Sequence, residues 1–287
     1  MEEMIVTIDP AAVEQHRSEW IAALEAGKVL YVPRFSFQLT DAERAFLRPD
    51  IRDPKKRNIS LNAKDGIAGV AGDEATQQAV AAMIARFRDE AERTIAAIVP
   101  RYSEHLVRGA TSYRPNEVET RAQSWRADDK RMHVDAFPSR PNYGQRLLRV
   151  FVNVNPSGVP RVWRVGEPFP VIAERFMPRL KPYSRWQAKA LELLHVTKSF
   201  RSEYDHTMLQ LHDAMKADAE FQANAPQERV EFPPGSAWIC FSDQTPHAAM
   251  SGQFMLEHTM TLDPQYQYDV AASPLAILSR MKGHALV

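Results

Sequence analysis

The sequence predicts an α+β fold: a double-stranded β-helix (jelly-roll, cupin-like) core, with helices packed at its N-terminal end and a helical insertion between later strands. Three observations predict it. Runs of β-branched and aromatic residues bounded by Pro and Gly gather in the second half, as at 147–155 and 237–241. Helical periodicity dominates before residue 109 and returns at about 186–223. Finally, His133-Val134-Asp135 and Pro246-His247 carry chemistry that pairs, yet lie 114 residues apart, a separation that a closing antiparallel barrel can bridge and a local metal knuckle cannot.

Taken in order, residues 10–27 carry Ala11, Val13, Trp20, Ile21 and Leu24 at helical spacing and end at Gly27, a C-terminal cap. Residues 28–33 predict a short strand on the outside of the jelly roll. Thr40 caps a short helix, with Glu43 placed for a capping box. Residues 50–72 read as loop, with Pro54-Lys55-Lys56-Arg57 and several glycines. From Asp73, Val80, Ile84, Phe87, Ala91, Ile95 and Ile98 recur at steps of three and four until Pro100 stops the helix, which is expected on the outside of the sheet.

An Arg-rich extended run at 120–126 precedes the His-x-Asp tripeptide, and Phe137-Pro138-Ser139-Arg140-Pro141 follows it as a rigid loop. The strand at 147–155 ends at Pro156-Ser157-Gly158. In the helical insertion, Leu191, Leu194, Tyr204, Met208, Leu211 and Met215 form the expected buried stripe. Residues 231–236 read as a turn, 237–241 as a buried strand, and 254–262 as an extended run carrying Glu257, His258, Thr259 and Thr261 among apolar residues. One domain over 1–287 is expected, with 1–109 as mainly helical support and 110–270 as the core.

Composition narrows the function. Lys plus Arg equals Asp plus Glu at 36 each, so no global field attracts nucleic acid, and nucleic-acid binding is not expected. The single Cys240 sits in an apolar strand and reads as a small core residue rather than half of a disulfide. The start, Met-Glu-Glu-Met-Ile-Val, has neither basic flank nor apolar run, and no stretch approaches the ~20 apolar residues of a membrane span. A cytoplasmic protein without a transmembrane segment is the expectation.

His133 and Asp135 lie two apart, so in extended chain both project to one side, and His247 would complete a two-histidine, one-carboxylate facial triad. An iron(II) held so keeps three adjacent positions open, enough for a bidentate 2-oxoacid and dioxygen. The remaining histidines, His212 among them, read as structural.

With these residues named, the chain resembles the iron(II)/2-oxoglutarate-dependent dioxygenases over roughly 110–265. More narrowly, His133-Val134-Asp135-Ala136-Phe137-Pro138-Ser139-Arg140-Pro141 and Thr245-Pro246-His247-Ala248-Ala249-Met250-Ser251-Gly252-Gln253 resemble the Kdo hydroxylase family of Gram-negative bacteria. That resemblance implies hydroxylation at C3 of the 3-deoxy-D-manno-oct-2-ulosonic acid (Kdo) sugar of Kdo-lipid A, giving the Ko sugar. It further implies Fe(II), 2-oxoglutarate as cosubstrate, O2, and His133, Asp135 and His247 as the metal ligands. Many members of the superfamily place a basic residue about ten positions past the last ligand against the far carboxylate of 2-oxoglutarate; His258 stands there. Arg149 is the preferred alternative anchor, and Asn153, on the same strand face, a hydrogen-bond partner for the cosubstrate. Arg114, Arg126 and Arg140 are candidates for the sugar carboxylate, and Trp163 for stacking on the ring. A glycolipid substrate implies transient contact with the inner face of the inner membrane. Two alternatives keep the barrel: a 2-oxoglutarate-dependent hydroxylase of a protein side chain or small acid, and a sugar-binding barrel without redox activity.

Overall fold

The computed structural model describes residues 3–118 and 124–287. The chain runs β1 (Ile5–Thr7), α1 (Val13–Glu25), β2 (Val29–Val32), α2 (Asp41–Arg44), β3 (Ile59–Leu61), β4 (Ile67–Ala68), α3 (Glu74–Ile98) and β5 (Val107–Arg114). It continues with β6 (Arg146–Asn153), β7 (Arg161–Gly166), α4 (Phe169–Phe176), α5 (Arg185–Leu193), α6 (Glu203–Ala217) and α7 (Ala219–Asn224). It closes with β8 (Gln227–Phe232), β9 (Ala237–Phe241), β10 (His247–Ser251), β11 (Met255–Leu262) and α8 (Pro274–Lys282).

Two sheets form the core: an eight-stranded one in the order β1-β2-β9-β6-β11-β5-β3-β4, and a three-stranded one in the order β10-β7-β8. Strand alternation divides the side chains between layers. From β6, Leu148, Val150 and Val152 join Ile239 and Leu256 under the helices, against Ile84 and Phe87 of α3. Phe151, one position out of phase, faces the smaller sheet and packs with Trp163, Phe232, Trp238 and Met255. A strand covered on both faces is apolar wherever it meets packed side chains, which is why β6, apolar except at Arg149 between its ends, and β9 carry the strongest strand signals. A third cluster joins α4, α6 and α8 through Phe169, Ile172, Tyr204, Leu211 and Leu278.

Local signals act where expected. Gly27 takes φ 85° beyond α1, while Lys28 N–H donates to Ala23 O at 3.0 Å, the closure that turns the chain into β2. β2 pairs with β9 and extends the larger sheet outward. Thr40 and Glu43 form the capping box of α2. Asp73 caps α3, which lies against β3, β5 and β11 on the outside of the sheet.

Four expectations need correction. Within 50–72 the chain forms the β3–β4 hairpin, whose strands of three and two residues are too short to show periodicity. Residues 227–232 form β8, whose polar Gln-Glu-Arg-Val-Glu pattern fits an edge strand of the smaller sheet and gives no apolar run. The helical insertion starts at Phe169 rather than about 186, because Pro168 begins α4 immediately after β7. Leu194 is 70% exposed, and Ala188 is the one buried residue of α5, so the stripe expected from Leu191 to Met215 is buried only in its α6 part, with Tyr204, Met208, Leu211 and Met215. Of the Arg-rich run, 120–123 lie outside the described residues, and 124–126 lead into a turn.

Candidate metal centre

His133 and His247 are brought together by backbone pairing. Each donates its N–H to the other's carbonyl, at 3.0 and 2.9 Å, which aligns the His-x-Asp segment beside β10. Asp135 N–H donates to Ser242 O at 2.8 Å, fastening the carboxylate to the loop that delivers His247. That loop is itself fixed from below. Asp243 is buried against Arg146 at 2.8 Å and accepts the Leu147 N–H, while Thr245 Oγ1 donates to Gly27 O at 2.8 Å. The cap of α1 and the first residue of β6 thus set the height at which His247 stands.

Both imidazoles are oriented by their own backbone. His133 Nδ1 donates to Arg131 O at 2.7 Å and His247 Nδ1 to Thr245 O at 2.8 Å, which leaves each Nε2 a lone pair. Ligand atoms of His133, Asp135 and His247 all lie within 4.8 Å of one another. Burial pushes both histidine pKa values down, helped at His133 by neighbouring His247 and Lys216, so both rings are held in the neutral form a metal requires. Burial would raise the Asp135 carboxyl, but the Arg149 guanidinium and the two imidazoles hold it well below the usual carboxylate range. Trp163 stacks on His247 with ring centroids 4.9 Å apart and planes 18° apart, fixing the ring from behind.

Around this triad runs a buried ladder of charge. Arg149 Nη1 lies 3.3 Å from Asp135 and 3.2 Å from Glu257, whose other oxygen is 2.6 Å from Arg114. Arg161, on the inward face of β7 with Trp163, donates Nη1 to Gly252 O at 2.9 Å. It has no ion pair among the described residues, and burial together with the nearby Arg114 pushes its pKa down to about 10. The walls enclose about 300 Å³. Asp135 Oδ2, the Nε atoms of Arg114, Arg149 and Arg161, and Trp163 Nε1 are all buried there without a hydrogen-bond partner among the described residues. Such a concentration of unsatisfied atoms marks a site built to receive a cation and polar ligands.

Seven of the residues singled out in the sequence line this cavity: His133, Asp135, His247, Arg149, Arg114, Arg126 and Trp163. Three do not. His258 follows Glu257 on β11 and therefore points the other way, under α3, where Nδ1 hydrogen-bonds Thr111 at 2.8 Å and Nε2 lies 3.3 Å from Glu92. Asn153 shares the face of Arg149 but sits at the strand's end, its amide donating to Val159 O and Phe232 O at 3.0 and 2.9 Å. Arg140 is exposed on its loop. Trp163 reaches the cavity as a prop for His247, and at 2% exposure it offers no platform for a sugar.

Sequence reasoning missed Arg161, His212 and Lys216, which also line the cavity, and read Arg57, a further lining residue, as part of a solvated loop. Period-two parity with Trp163 would have drawn in Arg161. His212 and Lys216 lie four apart on α6, hence on one helix face, and His212 Nδ1 donates to Val134 O at 2.8 Å with its ring edge-on to His133.

A family model described as 3-deoxy-D-manno-oct-2-ulosonic acid (Kdo) hydroxylase matches residues 7–285. Among solved structures, the Kdo hydroxylase KdoO, a non-heme Fe(II) alphaketoglutarate-dependent dioxygenase, in complex with cobalt(II), is similar at TM-score 0.94 and 38% identity, over 99% of this chain and 97% of that one. KdoO with alphaketoglutarate and Fe(III), and with succinate and Fe(III), each give TM-score 0.93 and 38% identity over the same shares. A search of curated proteins found no match. With a family match and a close structural relative each spanning nearly its whole length, the chain belongs to the Kdo hydroxylase family.

Proposed function

We propose that this chain is an iron(II)/2-oxoglutarate-dependent dioxygenase that hydroxylates C3 of the Kdo sugar of Kdo-lipid A, giving Ko. The observation that carries the reading is the convergence of His133, Asp135 and His247 within 4.8 Å, inside a cavity rimmed by unsatisfied buried donors. These three residues would hold Fe(II), which with 2-oxoglutarate and O2 would supply oxidising power: one oxygen atom enters the substrate C–H bond, the other leaves in succinate, and the carboxyl group next to the 2-oxo carbon leaves as carbon dioxide.

The protein's own groups do the rest. Arg149 keeps Asp135 ionised and turned toward the histidines. Glu257 separates the like charges of Arg149 and Arg114. Arg161, alone among the cavity's guanidiniums in having no carboxylate partner among the described residues, takes the far carboxylate of 2-oxoglutarate. Phe151, Trp163 and Met255 close the wall with apolar surface, which excludes water and strengthens every charge interaction in front of it. Arg57, Arg126 and Lys216 supply positive charge for the sugar carboxylate; Arg126 is displayed by stacking on Trp125 at 4.0 Å and pairing with Asp213 at 2.9 Å. No helix is long and apolar enough to cross a membrane. The acylated substrate of this reading calls for contact with the inner face of the inner membrane, approached from outside the bilayer.

Succinate release from 2-oxoglutarate, dependent on both iron and Kdo-lipid A, is the test, with mass spectrometry of the product for a gain of one oxygen and NMR to place it. Activity that survives His133→Ala would remove the metal site, and iron-dependent turnover with no mass change on Kdo-lipid A would remove the substrate.

A further inference from the structure

Helix α5 is the least integrated element of the fold. Only Ala188 of its nine residues is buried, and none joins a core cluster. Trp186, Leu193 and Leu194 are 84, 80 and 70% exposed, and Val196 beyond the helix is 55% exposed. Scattered exposed apolar residues mean little, but four large ones within eleven positions form a patch. Trp186 and Leu193 are seven apart, two turns along one face. The helix ends in a tight reversal: His195 at φ 56° and the Val196 N–H donating to Leu191 O at 2.9 Å hold Val196 beside the last turn, so the patch is built into the backbone.

Charge accompanies the patch. Between 181 and 201 stand Lys181, Arg185, Lys189, Lys198 and Arg201, against the single acid Glu192. In a chain of zero net charge this is a local basic field. The segment is also tied to the cavity. Lys198 N–H donates to Ser139 O at 3.0 Å, the Arg201 guanidinium donates to Pro138 O, and Phe137 and Pro138 form part of the cavity wall.

We infer that α5 and its C-terminal turn seat in the interface of an anionic lipid bilayer beside the cavity mouth, with Trp186, Leu193, Leu194 and Val196 entering the acyl boundary and the flanking Lys and Arg meeting lipid phosphates. This rests on the glycolipid reading above and adds the surface by which the enzyme reaches its substrate. An amphipathic helix of this kind lies in the membrane plane, with an indole at headgroup depth and long basic side chains extending to the phosphates. Charge complementarity selects this occupant: a second copy of the chain would set basic segment against basic segment across a two-fold axis.

The test is co-sedimentation of the full chain with vesicles of phosphatidylcholine alone or mixed with phosphatidylglycerol. The wild type is expected to bind the mixed vesicles and to be released by high salt. The combined variant Trp186→Ser, Leu193→Ser, Leu194→Ser is expected to lose more than about tenfold in partitioning. Arg185→Gln with Lys189→Gln should lose roughly fivefold per charge. Both variants should keep the melting temperature and turn over detergent-solubilised Kdo-lipid A at the wild-type rate, because these side chains lie outside the cavity. Equal partitioning of wild type and variants would overturn the inference, as would a wild-type dimer that the triple variant dissociates without any vesicle binding. Absence of turnover by wild type on solubilised glycolipid would instead overturn the hydroxylase reading, whatever the vesicles do.

Discussion

Arg161 is buried on the inward face of β7, one of its amine groups engaged by Gly252 O, its Nε unpartnered, and no carboxylate paired with it among the described residues. If it receives the far carboxylate of 2-oxoglutarate, Arg161→Met removes a buried charge-assisted pair, a truncation that costs about 2–5 kcal/mol. The lower part of that range applies, because the substitution also relieves the desolvation of Arg161 and its repulsion with Arg114. Taking about 2–3 kcal/mol, the KM for 2-oxoglutarate should rise about 30- to 160-fold. At saturating cosubstrate kcat should stay close to wild type, since the lost interaction is made equally in ground and transition states. Arg161→Lys should recover part of the loss: an ammonium supplies the charge but not the forked geometry. Succinate formation against 2-oxoglutarate concentration, at fixed iron and Kdo-lipid A, measures this. An unchanged KM for 2-oxoglutarate with a raised KM for the glycolipid would make Arg161 a sugar contact. The same KM rise in Arg149→Met, with Arg161→Met silent, would return the anchor to Arg149.

Three further outcomes follow from the structure. Trp163→Leu removes the ring that braces His247 and should weaken iron binding about 10- to 100-fold, read by metal titration, while Trp163→Phe keeps most of it. Phe87, fully buried between α3 and the larger sheet, should cost about 3–5 kcal/mol as Phe87→Ala in denaturant unfolding. Burial under α3 lowers the His258 pKa despite Glu92, so the unfolded chain binds that proton more readily; its contribution to stability is complete above about pH 6.5 and lost as pH falls below it. Glu92, with its pKa lowered to about 2 by His258 and Arg108 against the effect of burial, contributes stability that is present above its ordinary value and lost on acidification toward pH 2. Melting temperature measured from pH 7.5 to 5 should therefore fall less steeply in His258→Gln than in wild type, with the KM for 2-oxoglutarate unchanged; a raised KM would put His258 back in the site.

The parts of the fold that could be read from sequence are those where one local rule acts alone. Asp73 and the apolar steps from Val80 to Ile98 specify α3, Thr40 and Glu43 specify α2, and the doubly covered β6 and β9 announce themselves by apolar runs, unbroken in β9 and interrupted in β6 by Arg149. β8 escaped because an edge strand gains its pairing from β7 rather than from its own composition. The stripe at Leu191 and Leu194 misled because amphipathic spacing records which face is apolar, not what covers it. At the site, the three candidate ligands were legible from type and spacing. His258 was misplaced by analogy with a counted offset, where strand parity, which sends Glu257 inward and its neighbour outward, was the stronger constraint.

That parity also explains why this site differs from one with a basic residue on its last strand. With Glu257 facing inward, β11 brings a negative charge to the position from which a cationic anchor would otherwise project, and the surrounding arginines answer it: Arg149 from β6 and Arg114 from β5 both reach Glu257. The pair Arg149 and Arg114 balances Asp135 and Glu257, leaving Arg161 and Lys216 as buried cations in excess. A bound divalent metal increases that excess, so the cavity is complete electrostatically only when anions enter it. A dianionic cosubstrate meets this need in a way that a neutral sugar alone does not, and for that reason the arrangement favours a 2-oxoglutarate-dependent enzyme over a barrel that merely binds carbohydrate.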